Sequence, residues 1–428
     1  MMVREMKDSG IRWFGEIPDN WEIVPIKRNF SLFAGSTPKS EIAENWDGDI
    51  VWITPADYKT SDKYVEQGKR NISNVGLKSC STLIIPSNSI VFSKRAPIGS
   101  VAINTVPLCT NQGCIACIPK ENVDTLYYYY VMSVFTEQFE LYGSGTTFKE
   151  ISATKFGDFR MILPPLYEQK KIADFLDKKC IEINTLSSDI QSQIDILENY
   201  KKSVITEAVA RGLNFDVKMT ASRIAWGSIV PAHWNFSKIK YEIFPLQRPI
   251  RPDDLVMTCF RDGEVTLRQN RREDGFTISF TENGYQGVEV GDLVIHGMDA
   301  FAGSIGCSDS RGKITPVVHV CKTTGNNRFF MYVLRSMAMN GVFMDYAEGI
   351  RVRSSDFRNF NKLGKFPIVV PPISEQNKIV SYLDNRYEKI DAIIAQKKEQ
   401  LSVMADYKKS LIYEYVTGKR EVPDNDEF

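Results

Sequence analysis

Residues 162–178 and 369–385 repeat one pattern. Pro164, Pro165, Glu168 and Gln169 match Pro371, Pro372, Glu375 and Gln376, while Ile172, Leu176 and Asp177 match Ile379, Leu383 and Asp384. The same spacing reaches Tyr200-Lys201-Lys202-Ser203 against Tyr407-Lys408-Lys409-Ser410. A gapless match over that distance is an internal repeat, and it constrains the fold before composition is considered. Paired prolines fix φ and withhold a donor, so each copy arrives extended. Ser374 can cap a helix in the second copy, whereas Tyr167 in the first cannot. Beyond the prolines, no Gly or Pro interrupts residues 166–211 or 373–417.

Both stretches carry a helical seam. Leu176, Ile183, Ile190, Leu197 and Val204 recur every seven residues, with Ile172, Leu186 and Tyr200 as companions. The second copy has Leu383, Ile390, Met404 and Leu411, with Ile379, Ile393 and Tyr407 alongside. Heptad spacing predicts a coiled coil. Lys397 interrupts the second seam, which is tolerable where an aliphatic stem is buried and its charge reaches water. Each helix would be about 60 Å long. The first helix enters the domain that the second leaves, so pairing requires them to run antiparallel, with the two globular parts at opposite ends of a rod.

A second repeat opens each half. Trp13, Pro18, Trp21, Ile26 and Lys27 match Trp226, Pro231, Trp234, Ile239 and Lys240. Each copy reads as an extended turn and a short strand, with tryptophans as core pegs. Between this opening and the helix lie strand-like runs at 50–54, 82–85, 90–93 and 115–118, an aromatic helix over 125–141, and a Gly/Thr loop at 143–147. Residues 213–368 repeat the plan: 290–295 parallels 87–92, 302–306 parallels 96–100, 329–339 parallels the aromatic helix, and 349–355 parallels the Gly/Thr loop. The expected fold class is α+β, with two similar mixed α/β domains separated by a long antiparallel two-helix coiled coil and a pseudo-two-fold internal repeat. The expected segments are 1–162, 163–212, 213–369, 370–420 and a tail at 421–428.

A chain of 428 residues with 43% hydrophobic and 25% charged content has enough apolar material for real cores. No apolar run is long enough to span a bilayer, and the first residues lack a signal-peptide core. Zero net charge excludes a strongly basic free-standing nucleic-acid binder but leaves room for local basic patches. Eight scattered cysteines without a secretory signal fit reduced thiols in a cytoplasm. Cys114 and Cys117 have zinc-like spacing, but they sit in a strand-like run and read as buried thiols.

Basic residues with hydrogen-bonding neighbours gather where the two halves differ. In the first half they are Lys59, Lys63, Lys69, Arg70, Lys94, Arg95 and Lys149, with Thr146 and Thr147. In the second they are Arg261, Arg268, Gln269, Asn270, Arg271, Arg272, Arg351, Arg353 and Arg358. Arg, Gln and Asn read base edges, and Lys and Thr suit phosphates. Taken singly, each is more often a solvated surface charge. The loop at 349–358 is the strongest case, because its arginines have only Glu348 and Asp356 beside them. Catalytic signatures are not found: no phosphate loop, no adenine-methyltransferase Pro-Pro motif, no nuclease cluster and no metal set. His233, His296 and His319 are far apart in sequence and read as structural.

Recognition-type domain, long helix, second domain and second long helix, with Pro-Pro-x-x-Glu-Gln at each helix start, resembles the specificity subunit of type I restriction–modification systems. The resemblance covers essentially the whole chain and includes the Trp-Phe-Gly-Glu-Ile-Pro-x-x-Trp opening at 13–21; the second opening departs from it, reading Trp-Gly-Ser-Ile-Val-Pro at 226–231. It implies a non-catalytic, cytoplasmic, prokaryotic subunit whose two target recognition domains each read one half of a bipartite, asymmetric double-stranded DNA site. The helices would act as spacer and dock two methyltransferase subunits, and restriction subunits where present. Pro164, Pro165, Glu168, Gln169, Pro371, Pro372, Glu375 and Gln376 would mark that docking region. S-adenosylmethionine, ATP and Mg would belong to the partners. A cytoplasmic coiled-coil adaptor with two protein-binding heads is the alternative, and the clustered Arg/Gln/Asn loops are what separate the two.

Overall fold

The computed structural model describes residues 4–59, 62–95, 97–145, 149–224, 226–271, 283–344 and 357–423. Contacts divide the chain into two units, Met1–Asp189 with Glu399–Phe428, and Ile190–Lys398. Each unit therefore takes one head and part of each long helix.

In the first unit, an antiparallel ribbon of Met6–Asp8 and Glu16–Pro18 leads to Glu22–Pro25, which pairs with Arg160–Leu163. A short helix, Ile26–Asn29, turns the chain into the main sheet. That sheet runs Phe30–Ala34, Cys114–Pro119, Ile90–Lys94, Ile98–Asn104 and Tyr64–Val65, antiparallel except at its last pair. Ile98–Asn104 is buried along its whole length, so it reads as a continuous run rather than an alternation. Trp46–Ile53 forms a second sheet with Cys109–Thr110 and Arg70–Ile72.

The second unit repeats this order. Met219–Ile224 pairs with Gly227–Pro231, Asn235–Lys238 with Pro367–Val370, and Ile239–Glu242 is the short helix. Its main sheet runs Ile243–Pro245, Val318–Thr323, Leu293–His296 and Ile305–Cys307, the same sequence of partners without the fifth strand. The repeat read from the lead-ins and helices thus extends through the heads.

Three local expectations fail. Residues 82–85 contribute only the bridge from Ile85 to Leu108. The aromatic helix is two helices, Thr125–Val134 and Thr136–Tyr142, because Phe135 leaves helical geometry (ψ 24°) and packs its ring edge-on to Phe14 at 4.8 Å. Ser374 lies inside the second long helix, whose first turn instead bonds back to Pro372, as the first helix does to Pro165.

The long helices span Leu166–Arg211 and Ile373–Val416. Gly212 (φ 73°) and Gly418 (φ 71°) follow them in the left-handed conformation that ends a helix without a Cβ penalty. Within each unit the helices run antiparallel. Lys408 donates to Asn184 at 2.8 Å in the first unit, and its repeat equivalent Lys201 pairs with Asp391 at 2.5 Å in the second. Leu176, Ile183, Val204, Leu383, Ile390 and Leu411 are buried as the heptads require. Four of the six companions are displaced. Leu186, Tyr200, Ile393 and Tyr407 are exposed, while Ile194 and Ile394 are buried. The seam advances by four residues and then three from each heptad position, so residues three further on fall on its flank. Lys397 keeps its half-buried place and bonds to Gln193.

Candidate nucleic-acid interface

The repeated motif fastens each helix start to its own head. Glu168 accepts from the Trp21 indole (3.0 Å), from Asn20 (3.0 Å) and from Arg4. Glu375 accepts from the Trp234 indole (3.0 Å) and contacts His233 Nε2 at 2.7 Å. Gln169 donates to the Pro164 carbonyl and accepts from the Asp124 amide, and Gln376 does the same with Pro371 and Asn326. Asp124 in turn caps the helix Thr125–Val134, and Asn326 the helix Asn327–Met339. Asp177 accepts from the Tyr130 hydroxyl (2.8 Å) and Asp384 from Tyr332 (2.6 Å). Although burial pushes the Glu168 carboxyl up, the bonds from Arg4, Asn20 and Trp21 hold it below its ordinary value. The polar groups of Gln169 and Gln376 thus face inward, and both residues are buried.

In the first head, Arg70 lies over the Trp46 ring at 3.9 Å on the small sheet. Lys94 (2.9 Å) and Arg95 (3.4 Å) share Glu150, whose carboxyl is held below its ordinary value first by the hydrogen bond from Lys94, against burial, and further by the charges of both. Lys63 is taken up by Asp177 of the long helix. Lys59 and Lys69 are exposed on a loop whose amides are held by Asp62 and Asp57. Lys149 is exposed. Thr146 and Thr147 lie outside the described residues.

In the second head, strands Met257–Cys259 and Val265–Leu267 pair across a turn over residues 260–264. Gly263 has φ 93°, and a Cβ there would run into the Arg335 guanidinium. Arg335 is buried, donates to the carbonyls of Asp262 and Ile305, and leaves Nε unpaired. Arg271 pairs with Asp262 (2.6 Å) and Glu264 (3.1 Å) and covers the Phe260 ring at 4.2 Å. Arg261 pairs with Asp299 at 3.2 Å and is largely exposed. Arg268 reaches Thr258 (3.4 Å), Asn270 reaches Thr266 (2.9 Å), and Gln269 and Arg358 are exposed. Arg272, Arg351 and Arg353 lie outside the described residues.

The structure therefore brings Arg261 and Arg268 together around one cleft of about 420 Å³, whose lining includes His296, Asp299 and Thr315. Lys63, by contrast, is committed to the helix. Sequence reading missed His296 and Asp299, which adjoin Arg261 only through the fold. It also missed the tryptophan–glutamate pairs, although both partners lay in recognised repeats. Among the described residues no cluster of His, Cys, Asp or Glu is placed to hold a metal, and no helix is long and apolar enough to cross a membrane.

Known proteins place this architecture. The family model described as the type I restriction modification DNA specificity domain matches residues 18–195. The type I restriction enzyme MjaIX specificity subunit of Methanocaldococcus jannaschii is 38% identical over 197 residues, 45% of this chain and 44% of that protein. The match thus spans less than half of that relative's length. The StySPI specificity subunit of Salmonella potsdam is 20% identical over 95% of this chain and 90% of its own. A chain solved in work on complex assembly and conformational transition of the type I R-M system superimposes with a TM-score of 0.69 at 13% identity, covering 94% of this chain and 99% of that one. Its fold is shared over nearly the whole length, and residues 18–195 match the family of type I restriction modification DNA specificity domains.

Proposed function

We propose that this chain is the DNA specificity subunit of a type I restriction–modification complex. Each head reads one half of a bipartite, asymmetric site on double-stranded DNA. The observation that carries the reading is one scaffold presented twice with different cationic edges: Arg70 on Trp46, with Lys94 and Arg95, in the first head, and Arg261 and Arg268 at a cleft, with Arg271 on the Phe260 ring, in the second. Guanidiniums and amides at loop edges supply groove contacts, and lysines supply phosphate contacts.

The long helices serve as spacer and docking surface. Each keeps three large apolar side chains exposed at repeat-equivalent positions: Leu186, Ile196 and Tyr200 on the first, Ile393, Val403 and Tyr407 on the second. Equivalent surfaces on both repeats suit two copies of one partner, here the methyltransferase subunit, with restriction subunits joining the complex. Those partners hold S-adenosylmethionine, ATP and Mg and perform the chemistry in a prokaryotic cytoplasm, while this chain supplies the address. The test is DNA binding by the chain assembled with its methyltransferase. Salt-sensitive binding that prefers one split sequence over scrambled duplex supports the reading. Equal binding to all duplexes, or none, rejects it in favour of an adaptor.

A further inference from the structure

Resting on that reading, we infer that the cleft in the second unit is a hydrogen-bond-reading subsite for a DNA acceptor, with His296 as its specificity-determining donor. The cleft has the size of a ligand pocket, about 420 Å³. His296 ends a main-sheet strand and enters a turn. Its Nδ1 accepts from the backbone amides of Asp299 (3.1 Å) and Met298 (3.3 Å). Nδ1 therefore carries no proton, and Nε2 does. No described residue accepts from Nε2, and the side chain remains 23% exposed.

The surroundings of the imidazole favour this neutral tautomer. Asp299 Oδ2 is 4.0 Å from Nδ1, too far for the short bond that a protonated Nδ1 would make, and Asp299 is already paired with Arg261. Burial opposes a positive charge on His296, Asp299 favours it, and Arg261 and the nearby His319 add to the effect of burial, which prevails. His319 is itself directed to the Phe357 carbonyl at 2.7 Å. The cleft thus presents a neutral imidazole donor of fixed direction beside Arg261 and Arg268. The matching chemistry is an acceptor on DNA: a guanine O6 or N7, an adenine N7, a thymine O4 or a phosphate oxygen.

The corresponding strand exit in the first unit has no such donor. Ser93 turns its hydroxyl onto the Arg95 (2.9 Å) and Pro97 (2.8 Å) carbonyls, so that turn closes on itself.

Two substitutions separate reading from turn-holding, tested in the assembled methyltransferase complex. His296→Asn keeps an acceptor where Nδ1 stood and deletes the distal donor. His296→Gln restores a distal N–H and gives up the turn acceptor. The expected result is that Asn weakens recognition about ten-fold and Gln retains most of it. Loss of discrimination at one position of one half-site identifies a base acceptor. Uniform weakening across sequences, with an unchanged salt slope because the donor is neutral, identifies a phosphate. Wild-type behaviour of the Asn variant overturns the proposal. So does equal damage by both variants with a lowered Tm, which makes His296 a turn-holder. If the wild-type complex itself shows no sequence preference, the DNA-reading function has failed, which is a separate result.

Discussion

The two heads share a frame and differ at its edge. Main-sheet strands Ile90–Lys94 and Leu293–His296 occupy equivalent places in the two sheets. The first exits into a turn closed by Ser93, with Lys94 and Arg95 sharing Glu150. The second exits into a turn built on His296, beside a cleft edged by Arg261 and Arg268. The bonds that fasten head to helix are repeated nearly atom for atom, from the Trp21–Glu168 pair to the Trp234–Glu375 pair. The difference teaches that the repeat preserves attachment and leaves the exposed edge free to vary, as expected when one scaffold serves two ligands.

Breaking an attachment should give the largest effects. Gln169→Ala leaves the Asp124 amide and the Pro164 carbonyl without partners, at a cost of about 3 kcal/mol in the first unit. Gln376→Ala should cost the second unit a similar amount, because it makes the same two bonds there. Hydrogen exchange of each unit checks both, and an effect in only one unit would break the equivalence. A smaller loss, about 2 kcal/mol, is expected from Gly263→Val, since a side chain there meets both a left-handed backbone and Arg335. Proteolysis near residue 263 should rise while the first unit stays protected.

The units should also differ in their response to acid. Burial, opposed by Asp299, holds the His296 pKa below its ordinary 6.5. Between 6.5 and that lowered value the unfolded chain binds the proton and the folded chain does not. His296 therefore makes the second unit lose stability as pH falls through this window. Glu168 is held below its ordinary 4.5, so its contribution to the first unit is complete above 4.5 and is lost only as pH falls further, through the folded value. Hydrogen exchange at stepped pH should show the second unit loosening first, and His296→Asn should remove that early step. The smallest effect on stability, under about 0.5 kcal/mol, is expected from Arg70→Ala, an exposed residue. If Arg70 contacts phosphate, the same change should lower the salt slope of DNA binding by about one.

Much of this frame was readable. The Gly- and Pro-free runs 166–211 and 373–417 match the helices to within a residue, though the expected segments 163–212 and 370–420 overreach them, and constant offsets revealed the paired lead-ins. What escaped depended on partners distant in sequence. Glu168 and Trp21 belong to two separate repeats, and only the fold shows that one accepts from the other. The seam companions were misplaced because three-residue and four-residue steps look alike until a partner helix selects one face. His296 looked structural because it stands far from the other histidines in sequence, and its Nε2 gains meaning only from the turn and the cleft that the fold builds around it. Among the candidate cations, Lys63 shows the reverse: it looked like loop charge and is bound to Asp177.

The most direct measurement is N6-methyladenine sequencing of cells expressing this chain with its methyltransferase partner, against cells lacking the chain. The expected result is a split motif with two unlike halves that vanishes without the chain. Methylation unchanged by its removal, in cells where the complex is shown to assemble, would contradict the central claim.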